Sequence, residues 1–391
     1  MTPNRKTNFL PLLALVMFAT CAFAETGTPR ARDLNIPFDG TPGPLNAITD
    51  VAGVAVGHET IFRDMPENRA VRTGVTAVLP RGRESMNTMV YAGWSTLNGN
   101  GEMTGTTWIE ESGFLEGPVM ITNTHSIGAV HEGVIRWRVA QTGPDHSGYF
   151  WSLPVVAETW DGHLNDINGF HVRPEHAATA LDRASNGPVA EGSVGGGTGM
   201  ICFEFKCGIG TASRVIEAAG ERYMLGVLVQ ANYGLRRNLR IAGIAVGREM
   251  PGDLIYSRAD GDIDMQSSII VVVATDAPLL PQQLKRLARR VPLAIGRTGS
   301  IASNGSGDIF VAFSTANDAA TRGASDAAIN SIPNDSMNPL FEATVQATEE
   351  AIVNALIAGR DMVGDQGRYA KGIDHDELRR LLVQHYPEAA K

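Results

Sequence analysis

The sequence predicts a layered α/β or α+β domain, and three observations predict it. Short, β-branched apolar runs bounded by turn residues recur along the chain, at 73–79, 118–123, 223–230, 268–274 and 308–313. Apolar stripes at helical spacing recur as well: Leu284, Leu287 and Ala288 within 281–290, and Phe341, Val345, Ile352 and Leu356 within 341–358. The two kinds of element are interleaved, so sheets and helices must cover one another in layers. The chain of 391 residues is 43% hydrophobic and 19% charged, enough to bury a large core. No long Pro/Gly/Ser linker, internal repeat or low-complexity tract divides it, which favours a single domain.

The N-terminal end of the chain adds information. Arg5 and Lys6 precede an apolar run at 9–18, and Ala22-Phe23-Ala24 closes it with a small-x-small pattern. Residues 1–24 therefore read as a signal peptide, with the mature protein starting at Glu25 and going to the periplasm or the exterior. The run is too short for a membrane span, which needs about 20 apolar residues. Cys202 and Cys207 are the cysteines left after the leader, and an oxidising compartment permits them to pair. On one extended strand their odd separation would put them on opposite faces, so a disulfide and two buried thiols both remain open. The net charge of −9 argues against a nucleic-acid surface. The cluster Lys285-Arg286-Leu287-Ala288-Arg289-Arg290 reads as the wet face of a helix.

Chemistry concentrates where the acidic loop Gly261-Asp262-Ile263-Asp264-Met265-Gln266 runs through Ser267 and Ser268 into Ile269-Ile270-Val271-Val272-Val273-Ala274. A serine at the mouth of a buried strand suits an N-terminal nucleophile. Were the bond before Ser268 cut, its α-amine, with an unperturbed pKa of roughly 7.7–8.0, would stand beside its own hydroxyl as general base. Taken locally, the same pattern also fits two serines closing a loop. Asn232, directly after the apolar run at 225–229, is a candidate oxyanion donor through its side-chain amide, or else a turn residue before Gly234. Glu158 lies inside Val155-Val156-Ala157-Glu158-Thr159-Trp160, where a buried carboxylate needs a partner, and a substrate ammonium would supply one. Asn304-Gly305-Ser306-Gly307-Asp308 presents a second hydroxyl, Ser306, without the spacing of a nucleophile elbow. The glycines of 192–199 lack the Gly-Lys-Ser/Thr ending of a phosphate loop and read as close backbone packing. His125 and His131, or His171 and His176, lack helical metal-pair spacing, so neither metal nor other cofactor is expected. Glu191 is either a second substrate carboxylate or a solvated loop acid.

Ordered motifs then carry a resemblance. They include Asn46-Ala47-Ile48-Thr49-Asp50-Val51-Ala52-Gly53-Val54, Asn98-Gly99-Asn100-Gly101-Glu102-Met103-Thr104-Gly105 and Thr122-Asn123-Thr124-His125-Ser126-Ile127-Gly128. Val156-Ala157-Glu158-Thr159-Trp160-Asp161-Gly162, Val194-Gly195-Gly196-Gly197-Thr198-Gly199-Met200, Ala231-Asn232-Tyr233-Gly234, Ala274-Thr275-Asp276-Ala277-Pro278-Leu279 and Asn304-Gly305-Ser306-Gly307-Asp308 continue the series. Together they resemble the DmpA-like aminopeptidases, which comprise the L-aminopeptidase/D-esterases and the β-peptidyl aminopeptidases. The resemblance implies a four-layer αββα sandwich of the N-terminal-nucleophile-hydrolase-like, DmpA/ornithine-acetyltransferase type. It implies a precursor cut before Ser268 into an α chain, 25–267, and a β chain, 268–391, that stay in one domain, with homotetramers or larger assemblies. The activity implied is release of β-amino acids or small L-residues from short peptides, amides or esters. Ser306 and Asp308 would polarise the nucleophile and its amine.

Three positions depart from that pattern. Ser267 precedes the cut where Gly or Asn is usual, Asp308 stands where some relatives carry Glu, and Trp160 stands where some carry a Tyr thought to assist catalysis. An indole can donate a hydrogen bond but cannot ionise near neutral pH. Two alternatives keep the same fold: an acyltransferase of the ornithine-acetyltransferase type, although that type uses a threonine nucleophile, and an unprocessed periplasmic binding protein.

Overall fold

The computed structural model describes residues 28–84, 88–142, 149–258, 261–262, 267–321 and 328–387 of the uncut chain. The expected signal peptide, 1–24, and the acidic stretch 263–266 lie outside the described residues. Among the described residues, ten strands build the two main sheets. In chain order they are β1 (Ala55–Met65), β2 (Arg69–Arg83), β3 (Val90–Gly99), β4 (Phe114–Leu115), β5 (Val119–Asn123), β6 (Val155–Thr159), β7 (Ile209–Ala218), β8 (Glu221–Asn232), β9 (Ser267–Thr275) and β10 (Ser306–Ser314). The smaller sheet runs β1-β2-β5-β6 and the larger β4-β3-β10-β9-β8-β7. Helices α1 (Ile127–Thr142), α2 (Pro174–Asp182), α3 (Pro281–Ala288), α4 (Val291–Arg297) and α5 (Asn338–Ile357) cover the outer faces.

Side-chain alternation along the strands makes the layers. On β9 the even positions Ile270, Val272 and Ala274 meet Val78, Ile121 and Ala157 of the smaller sheet in one buried cluster. The odd positions Ile269, Val271 and Val273 face Leu284, Leu287, Ile352 and Leu356 of α3 and α5 in a second. A third cluster joins Val75, Ala77 and Met120 to Val130, Val134 and Leu181 of α1 and α2. Helix, sheet, sheet, helix is therefore the order, the expected αββα sandwich. β9 and β10 are buried along their whole length, which is why their central runs, 269–274 and 309–313, are apolar and do not alternate.

Local chemistry accounts for several details. Helix α3 begins at Pro281 and sends Lys285 outward to Glu110, while Arg286 and Arg290 lie over the Phe341 ring. Gly195–Gly197 forms a single 3₁₀ turn, and a β-carbon on Gly196 would stand 2.2 Å from Gln230 Oε1, so the glycine cluster serves backbone packing. Cys202 and Cys207 are disulfide-bonded, with Cα atoms 5.4 Å apart. The single-strand premise fails because Ile201–Cys202 folds back on Phe205–Lys206 as a hairpin. Cys202 faces Phe205 across it, and Cys207, two residues further on, returns to the same side.

Candidate active site

Strand register decides what surrounds Ser268. It stands two residues before Ile270 on the face of β9 that looks between the sheets, at the rim of the inter-sheet core. Asn232, the last residue of β8, is its direct antiparallel partner, so the two side chains share a face. Ser268 is 2% exposed, and its Oγ accepts the backbone N–H of Trp160 at 3.1 Å. That amide follows β6 of the other sheet, so both sheets hold the hydroxyl oxygen. Asn232 Oδ1 accepts the N–H of Ile201 at 2.9 Å, which leaves its NH₂ as the end free to donate.

Glu158 comes from β6, opposite Thr122 on β5. Its Oε1 accepts the Glu102 N–H at 3.1 Å, and its Oε2 accepts the Thr124 hydroxyl. Burial pushes its carboxyl pKa up, while the Thr124 and Glu102 bonds pull the other way. Among the described residues, no Lys or Arg forms an ion pair with it. Glu158, Trp160, Thr124, Ile127, Ser267 and Ser268 line one cavity of about 590 Å³. Its floor is backbone: a β-carbon on Gly101 would stand 3.0 Å from Gly307 Cα and 3.2 Å from Glu158 Oε1. Strand β3 slips register against β10 at Asp308/Ile309, and Asn100 and Gly101, just past the end of β3, line the cavity.

Ser306 and Asp308 lie one strand over, on the opposite face. Ser306 is the parallel partner of Ser267 and Gly307 that of Ser268, so the pair meets the Ser267–Ser268 junction from the helix side. Ser306 Oγ donates to Asp308 Oδ1 at 2.6 Å, and Asp308 Oδ2 is buried without a hydrogen bond. Burial raises the Asp308 pKa to about 6, opposed by the Ser306 bond.

The six candidate positions thus converge on one junction, where Ser267 shares the helix-side face with Ser306 and Ser268 shares the inter-sheet face with Asn232. Trp160 lines the cavity, and its backbone amide donates to the Ser268 hydroxyl. Sequence reasoning missed that amide, the Glu102 amide and the Thr124 hydroxyl, although their motifs were on view at 98–105 and 122–128. Glu191 is neither a substrate carboxylate nor a solvated acid. Arg30 binds it at 2.7 Å and the Thr211 N–H at 2.8 Å, tying the segment around Arg30 to β7. Among the described residues, no group of three or more His, Cys, Asp or Glu could hold a metal ion. In the same residues, no helix is long and apolar enough to cross a membrane.

Chemically, the arrangement offers a hydroxyl, a side-chain NH₂ on the strand position opposite it, and a carboxylate in the same cavity as the hydroxyl. Residues 46–370 match peptidase family S58. The chain is 52% identical to the Beta-peptidyl aminopeptidase BapA of Sphingosinicella microcystinivorans, covering 98% of each chain. It is 46% identical to that of Sphingosinicella xenopeptidilytica, covering 97% of each. It superimposes on the L-aminopeptidase D-Ala-esterase/amidase of Ochrobactrum anthropi, a serine aminopeptidase with a variant of the Ntn hydrolase fold. The TM-score is 0.84 at 50% identity, over 91% of this chain and 99% of that one.

Proposed function

The chain belongs to peptidase family S58 and is a serine aminopeptidase, and from that premise we propose that it cuts itself before Ser268 and then uses Ser268 as its nucleophile. In the uncut chain, Ser268 Oγ attacks the Ser267 carbonyl carbon, and the Ser267 acyl group passes from nitrogen to oxygen. Water hydrolyses the ester, leaving a Ser267 carboxylate and a free Ser268 α-amine. The α chain would be 25–267 and the β chain 268–391.

In turnover, the neutral α-amine takes the Oγ proton as Oγ attacks the substrate carbonyl. The Asn232 NH₂ holds the oxyanion, the leaving amine departs with a proton from the α-ammonium, and water resolves the acyl-enzyme. Departure of Ser267 would open the place its side chain holds beside Ser306, where the orphaned Asp308 Oδ2 can meet the new amine. The observation that carries this reading is Glu158: a buried carboxylate without a cation, lining the same cavity as Ser268. A free substrate N-terminus fits it, and that makes the activity an exopeptidase one. The two Sphingosinicella relatives support β-amino acids as the residues released, with small L-residues as second choice.

Intact-mass spectrometry of the denatured protein tests the cut. Two chains, the smaller starting at Ser268, are expected, and a single chain in fully active protein refutes the mechanism. We further read the enzyme as periplasmic or secreted and as a homotetramer or larger. Cell fractionation and light scattering check those two points.

A further inference from the structure

The hairpin at 201–207 is bent more tightly than its residues favour. Phe203 and Glu204 form its two-residue turn with φ of +50° and +61°. Neither is Gly or Asn, and left-handed backbone brings a β-carbon too close to the following carbonyl oxygen. Such strain persists where the surroundings over-determine it. Here they do. The Cys202–Cys207 disulfide closes the base of the turn. The Arg236 guanidinium donates to the carbonyls of Phe203 at 2.9 Å and Glu204 at 2.7 Å. The fully buried Glu204 carboxylate accepts the N–H groups of Arg236, Ile255 and Tyr256 at 3.1, 2.7 and 2.8 Å. Phe203 N–H donates to the Tyr233 carbonyl at 2.7 Å, one residue past Asn232.

What the hairpin does appears at its first residue. Cys202 and Phe205 close the turn, so Ile201 and Lys206 form the next pair, whose N–H groups point out of the ladder. Lys206 N–H goes to the Lys371 carbonyl, and Ile201 N–H goes to Asn232 Oδ1. A carboxamide can present either end to a ligand, and an N–H partner selects the oxygen. With its oxygen held by Ile201, Asn232 keeps its nitrogen for the site. A flipped amide would offer an anion a repelling oxygen.

We propose that the strained, disulfide-closed hairpin is a positioning device for the oxyanion donor, aiming the Ile201 N–H so that Asn232 presents its NH₂ to the reaction. This rests on the reading of Asn232 as that donor. The test is a double-mutant cycle on the processed enzyme, comparing Cys202→Ala/Cys207→Ala, Asn232→Ala and the combination with a peptide substrate. Loss of the cysteines is expected to lower kcat about tenfold with KM unchanged, and Asn232→Ala to lower kcat about 10²–10³-fold. In the Asn232→Ala background, removing the cysteines should cost nothing more. Equal tenfold losses in both backgrounds would mark a general loosening of the fold and overturn the proposal, as would an unchanged kcat on loss of the cysteines. A wild-type kcat for Asn232→Ala would instead overturn the reading beneath it. If the cysteine variant does not fold or process, Glu204→Gln, which keeps the disulfide, takes its place in the cycle with the same expected and refuting results.

Discussion

Replacing Glu158 by Gln removes a charge while keeping the shape that β6 and the Glu102 and Thr124 bonds define. The carboxylate is 4% exposed, and burial already raises its pKa, so its ionised form is held at a cost until a cation arrives. A substrate ammonium at about 4 Å gains ~4 kcal/mol at an effective dielectric near 20, and desolvating both groups takes back part of that. A hydrogen bond to a charged partner is worth ~1.5–3 kcal/mol net. A loss of about 2–3 kcal/mol follows, roughly 30- to 150-fold in kcat/KM. Gln also turns an N–H donor toward the ammonium, so relief by rearrangement is limited. The assay compares a β-alanyl anilide, which carries a free amine, with p-nitrophenyl acetate, which does not. The anilide should suffer the full loss and the acetate less than about threefold. Equal losses on both would refute the ammonium-anchor reasoning and leave Glu158 a structural acid.

Three further outcomes are expected. Ser268→Ala should yield one uncut chain with no turnover; a cleaved, active variant, seen by intact mass and assay, excludes Ser268. Because a carboxylate beside the Ser268 α-amine favours its ammonium form, Asp308→Asn should move the rising limb of the kcat–pH profile to lower pH by about one unit, and an unmoved limb would separate the two groups. Asp161, fully buried with Oδ2 unpaired, has its pKa raised from 3.8 to about 7 by burial. Its folded pKa lies above the unfolded one, so its contribution to stability is full below pH 4 and is lost as pH rises through 7. Asp161→Asn should flatten the fall in Tm between those values. A wild-type slope in the variant would show that Asp161 is already ionised in the fold.

What could be read in advance followed burial. The run at 269–274 announced β9 because it is covered on both faces, and 341–358 announced α5 because a helix packed along most of its length shows its period. Strand β2 extends further than 73–79 because its charged ends read as loop. Arg72 is nonetheless buried, its guanidinium 3.7 Å above the Phe62 ring and bonded to Asp64. Strands β1, β3 and β6 escaped because polar residues and glycines interrupt or shorten their apolar runs. The hairpin escaped because Phe203-Glu204 is not turn chemistry. At the site, side chains other than the Thr124 hydroxyl were legible and backbone donors were not, since an N–H has no letter in the sequence.

Strand order in the larger sheet bears on what a break before Ser268 would do to the molecule as a whole. The sequence of neighbours β3-β10-β9-β8 sets one fragment inside the other: the middle two would belong to the carboxyl-terminal fragment and the outer two to the amino-terminal one. The fragments would be woven, not docked. Pulling them apart would mean unzipping β8 from β9 and β10 from β3 while opening the clusters on both sides of the sheet. Such a nicked protein would behave as an obligate heterodimer made only from one polypeptide. Separately synthesised halves would each lack the neighbours their strands require, so the two pieces should be reachable by folding first and cutting afterwards.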